Sequence, residues 1–197
     1  MTQPCTDAAN DVAVGTPGRK PDRARFALRE RTRAEHEATE AAFAPFDLTV
    51  ADDYRQFLIA HAMALPRLEL GVTGLGWTGW QPRYHLLADD LAALGAFLPA
   101  PMIAPAISPV SAWGVQYVLE GSKLGGTVLS GRLPAGVPAR YLRPAPDMPV
   151  RWQAFCAALD AAAANGGPEW MNEVIDSAIE TFQAFRRSAD ALAGDLS

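Results

Sequence analysis

Apolar residues recur three and four positions apart along most of the chain, which predicts helices rather than strands. From Pro21 the pattern turns helical, and the run ARFALRERTRAEHEATEAAF, ending at Phe43 with no Gly or Pro inside it, predicts a first helix. In DYRQFLIAHAMALPRLELGV, Tyr54, Phe57, Leu58, His61, Ala62 and Leu65 share a face. Asp47, Thr49 and Asp52 are candidate N-caps for this second helix, and Pro66 is expected to kink or shorten it. Residues 76–80, GWTGW, predict a loop. Pro82 should then open a third helix, with Leu87, Leu91 and Leu94 on one face and Gly95 as the stop. Pro99, Pro101, Pro105 and Pro109 predict an extended crossing, followed by a helix from Pro109 or Ser111. Beyond a Pro/Gly-rich stretch at 131–149, RWQAFCAALDAAAA predicts a short helix closed by Asn165-Gly166-Gly167. Pro168 starts the last, with Trp170, Val174, Ala178, Phe182, Phe185, Ala189 and Leu192 as its stripe. No strand pair emerges. The expected fold is all-α, a single-domain multi-helix bundle of about six helices over residues 23–197, preceded by an aperiodic, flexible tail at 1–22.

Composition narrows the function classes. The chain has 197 residues, a formal net charge of -5 and a pI near 5.2, which argues against a nucleic-acid partner. No apolar run approaches the roughly 18 residues of a membrane span, and the polar first residues have no secretory pattern, so a cytoplasmic, monomeric protein is expected. Cys5 and Cys156 match no ligand spacing and read as bystanders.

Nucleophile elbows, Walker loops, HExxH and paired-cysteine metal sites are all absent from the sequence. Of three histidines, His85 is expected at the surface and His61 falls on the apolar stripe of the second helix as a core or boundary residue. His36 has different company, with Arg29 two turns before it and Phe43 two turns after. That face could contact a flat ligand, anionic at one edge, apolar in its body and able to bind nitrogen at its centre; it equally suits a solvated charged helix. The stretch YVLEGSKLGG, residues 117–126, forgoes about 1 kcal/mol of helix propensity at each of Gly121, Gly125 and Gly126 if its helix continues. Such a bare strip allows a planar group to approach the backbone, or two helices to pack closely, or the helix to end.

Together, LRERTRAEHEATEAAF with its histidine, DLTVADDYRQFLIAHAMALPRLE, LADDLAALG, YVLEGSKLGG and VIDSAIETF resemble, in order, the haem oxygenases, specifically the bacterial, bacteriophytochrome-associated, biliverdin-producing type. The resemblance implies His36 as the proximal iron ligand, Arg29 and Tyr117 on the haem propionates, and Phe43 against the ring. Gly121, Ser122, Gly125 and Gly126 would line the distal face, Ser122 standing where many members have an aspartate that organises proton-delivering water. Other members place extra propionate contacts on the helix that here begins near Arg151, and Arg151 is its only basic residue. It further implies haem as substrate and cofactor, cleaved with O2 to biliverdin, carbon monoxide and ferrous iron. Electrons would come from a ferredoxin or flavin reductase, since no flavin, iron-sulfur or nicotinamide motif is present, and a bacteriophytochrome would accept the product. A haem carrier or sensor that keeps the fold without turnover would use the same residues.

Overall fold

The computed structural model describes residues 24–104, 106–143 and 145–193; the segment read as a tail lies outside them. Five helices follow one another: α1 (Ala24–Phe43), α2 (Ala51–Gly71), α3 (Tyr84–Ala93), α4 (Ser111–Ser130) and α5 (Met148–Ala193). Among the described residues there is no strand, and the fold is all-α as the periodicity predicts. The two helices expected on either side of Gly166-Gly167 are both present within the span of α5, meeting at a kink at Gly167. Its φ of 74° and ψ of -170° suit glycine alone.

Three boundaries differ from expectation. α2 runs five residues past Pro66 to Gly71, held down by buried Leu68 and Glu69 beyond the proline. Its N-cap is Val50, with no side-chain cap. Asp47 instead accepts from the Thr49 N–H and hydroxyl in the preceding turn, and Asp53 reaches back to the Asp47 N–H. α3 starts at Tyr84 rather than Pro82, because the buried Glu69 carboxylate takes the Arg83 N–H at 2.8 Å and the Tyr84 N–H at 3.1 Å. A carboxylate from α2 thus caps α3 across 14 residues.

α5 packs against α1, α2 and α4, and α3 lies on α2. Phe57, Leu58, Leu65, Leu87, Leu91, Leu119 and Phe185 belong to one buried cluster, and Leu28, Val118, Phe155, Leu159, Ile175 and Phe182 to another. Each such side chain stabilises the fold by about 1.5–3 kcal/mol when fully buried. Neighbouring Val118 and Leu119 on α4 point into different clusters, so α4 runs along the seam between them. On α1, Glu35 pairs with Arg186 at 3.0 Å and the Thr39 hydroxyl bonds the Phe182 carbonyl at 3.1 Å. These contacts fix the rotation of α1 that brings His36 to the seam.

Candidate active site

A cleft opens at the seam, with two joined lobes of about 780 and 1130 Å³. His36, Glu40, Val118, Ser122, Gly125 and Phe182 border both lobes. Phe43 and Gly126 border the first, and Arg29, Tyr117 and Gly121 the second. All eight residues singled out in the sequence therefore line one cleft, although they come from two helices some eighty residues apart.

His36 is half exposed, which leaves its imidazole open to a ligand. Its Nδ1 lies 3.6 Å from Glu40, and the edge of its ring meets Phe182 with centroids 5.4 Å apart. With Nδ1 turned to a carboxylate, Nε2 is the free nitrogen. His61 faces the same cleft but is enclosed. Phe57, Phe43, Tyr141 and Phe185 stand around it with centroids 4.4, 4.6, 5.5 and 5.5 Å away. Burial, opposed by its hydrogen bond and aided by the Arg83 charge, pushes its pKa down to about 4. Nδ1 donates to the Phe57 carbonyl at 2.8 Å, so His61 is neutral near pH 7 with a bare Nε2. His85 is at the surface, as its position in the pattern predicts.

α4 is continuous through its glycines, which serve different neighbours. A Cβ on Gly125 would meet nothing within 4 Å, and one on Gly121 would reach ordinary contact with Trp152 at 3.7 Å. One on Gly126 would stand 2.8 Å from the Leu142 carbonyl oxygen, so this position is bare for close chain packing as well as bordering the cleft. Ser122 Oγ donates to the Leu119 carbonyl at 2.9 Å and accepts from Arg83 Nη2, leaving one lone pair for a further donor. Tyr117 is largely buried beside Trp152, and burial raises its pKa, which keeps the phenol protonated as a donor.

Arg83, His61 and Trp152 line the cleft without having stood out in the sequence as ligand contacts. Arg83 carried no local signal. It is brought to Ser122 by the Glu69 cap, stacks on the Tyr141 ring at 4.4 Å and is 8% exposed. Arg151 turns from the cleft altogether, donating to the Gly79 carbonyl at 2.8 Å and lying over Trp77. The cleft can thus hold a flat apolar body between α1 and α4, offer it one imidazole, and meet an anionic edge with Arg29 and Tyr117.

No protein-family model matches the chain. A curated heme oxygenase of Xanthomonas campestris pv. campestris (strain 8004) is 34% identical over 122 residues, covering 56% of this chain and 73% of that protein. Among solved structures, the NO- and CO-bound heme oxygenase from Neisseria meningitidis superposes with a TM-score of 0.73 at 25% identity, over 88% of this chain and 93% of that one. Heme oxygenase from Leptospira interrogans gives 0.70 at 18% identity, over 86% and 99%, a likeness of fold.

Proposed function

The chain belongs to the haem oxygenase family, and on that premise we propose which of its residues carry the family's reaction. It is an enzyme, and it degrades haem. The residues present fit that substrate: a half-exposed imidazole, aromatic and aliphatic walls, a glycine whose missing side chain opens onto the cleft, and a guanidinium and phenol at one lobe. The open face at Gly125 beside His36 carries the assignment.

Bound haem supplies both the iron that activates O2 and the ring carbon that is oxidised. His36 would hold the iron through Nε2, with the Glu40 carboxylate 3.6 Å from Nδ1 on the other side of the ring. Arg29 and Tyr117 would take the propionates and so orient the macrocycle in the cleft. Phe43 packs in the far lobe. Gly125 would keep the distal wall at backbone height, with Gly121 and Gly126 bordering the cleft on either side of it. Ser122, its own proton committed to Leu119, accepts from a water and so orients it, while Arg83 holds the serine in place. Phe57, Phe182, Phe185 and Leu129 exclude bulk solvent, which strengthens these contacts.

The products we assign are biliverdin, carbon monoxide and ferrous iron, formed with O2 and electrons from a ferredoxin or flavin reductase. The finer placing, with a bacteriophytochrome as acceptor of the product, rests on the EGSKLGG stretch and its serine in the aspartate position. We take the protein to act as a cytoplasmic monomer; no described helix is long and apolar enough to cross a membrane. Equimolar haem, a reductant and air provide the test. Loss of the Soret band with rising red absorption of an open-chain tetrapyrrole is expected, and a Soret band that persists would favour a carrier.

A further inference from the structure

A second cleft of about 710 Å³ lies on the other side of Arg83, lined by Arg83, His85, Lys123, Arg143, Asp147 and Arg151 among others. In a chain of net charge -5 it gathers four basic side chains, Arg83, Lys123, Arg143 and Arg151, against one carboxylate, Asp147. Their compensation is incomplete. Lys123 Nζ sits 2.6 Å from Glu120 Oε1, and Arg151 shares that same oxygen at 3.9 Å, so one buried carboxylate serves two cations. Burial lowers the Lys123 pKa against the pull of Glu120, and Arg83 and Arg151 lower it further, so the group lacks negative charge. Arg83, more than nine-tenths buried, has no ion pair among the described residues; it donates to a neutral hydroxyl, and its Nε has no partner. The carboxylate of Glu69 is spent on two backbone N–H groups. Arg143 is exposed and likewise has no ion pair among the described residues. Glu69 is near enough to feel the charges of Arg83 and Lys123, but its oxygens bond backbone, so the Arg83 fork keeps donor capacity, and a planar donor fork matches an oxyanion.

We propose that this cleft is a binding site for a small oxyanion of phosphate size, held by Arg83 and Lys123 within and by Arg143 at the rim. The site is separate from the haem cleft but shares Arg83, Tyr141 and Leu142 with it as a dividing wall. A consequence, which rests on the function proposed above, is that the bound anion competes for the guanidinium that holds Ser122. Occupancy would therefore tune the orientation of the distal water without any contact with haem.

Binding needs no haem, so it is tested on the full-length haem-free protein and stands or falls apart from the haem assignment. Inorganic phosphate is titrated at constant ionic strength maintained with potassium chloride, following the melting temperature and the heat of binding. A saturable rise in melting temperature is expected. Arg143→Ala, at an exposed position, should weaken phosphate binding by about threefold to fivefold, Arg143→Glu should remove it, and His36→Ala should leave it unchanged. A rise that never saturates, an equal effect of chloride alone, or undiminished binding by Arg143→Glu would overturn the proposal.

Discussion

Gly125 and Gly126 are neighbours in sequence with opposite surroundings: a Cβ on the first touches nothing within 4 Å, and one on the second stands 2.8 Å from the Leu142 carbonyl oxygen. Both lie in helical backbone, where alanine gains about 1 kcal/mol over glycine. Gly125→Ala should therefore leave the haem-free protein as stable or up to about 1 kcal/mol more so, while its methyl enters the cleft and slows haem turnover. Gly126→Ala should lose stability by about 1–3 kcal/mol through overpacking. Chemical denaturation of both variants, set beside their turnover rates, separates close approach from close packing. Normal turnover by Gly125→Ala would return that glycine to a purely structural role.

Glu69 acts on the site through Arg83. Glu69→Gln leaves one acceptor where the cap uses two, so a loss of about 1–3 kcal/mol is expected. Because the cap positions Arg83 beside Ser122, turnover should fall with little change in the affinity for haem. A structural role alone would lower the melting temperature and leave the turnover rate of the folded fraction unchanged. Ser122→Ala, tested alongside, should also slow the reaction, and because it removes the acceptor of buried Arg83 its turnover is compared per folded molecule.

His61 sets an acid limit. Its pKa is about 4 in the folded chain against 6.5 for a free imidazole, so between those values the unfolded chain binds the proton that the native state refuses. Stability is then complete above pH 6.5 and declines as pH falls toward 4, by up to about 3 kcal/mol. Replacing His61 with Phe should flatten that decline, which denaturation midpoints measured across the range would show. An unchanged slope would mean that His61 titrates normally.

Arg29 and Tyr117 should orient haem more than retain it. Burial of the macrocycle outweighs a solvent-facing charge pair, worth about 0.2–1 kcal/mol. Replacing both should change the ratio of biliverdin isomers with modest loss of binding. Near-complete loss of haem binding in the double variant would reverse that ranking.

Periodicity alone located the helices because burial enforces it: Leu87, Leu91, Val174, Ala178 and Ala189 lie in the core at their predicted spacing. His36 and Gly125 could be singled out from local signals, an imidazole on a charged face and a costly gap in a helix, while their proposed roles came from the family resemblance. The Arg83–Ser122 bond spans 39 residues and depends on a cap supplied by a third element, so no local pattern announces it. The division of labour between Gly125 and Gly126 was equally hidden, since it depends on where Leu142 packs. Pro66 misled for a related reason, the helix beyond it being secured by tertiary burial.

The most direct test concerns which histidine meets the iron, for two stand in the cleft. His36 is open with Nε2 free, while His61 is boxed by four rings. Absorption and electron paramagnetic resonance spectra of the haem-loaded wild type, His36→Ala and His61→Ala proteins, taken before reductant and then during turnover in air, decide between them. The expected result is that His36→Ala alone loses the histidine-ligated iron signal and stops degrading haem, with His61→Ala retaining the signal. An unaltered iron spectrum in His36→Ala, or its loss in His61→Ala instead, would contradict the assignment.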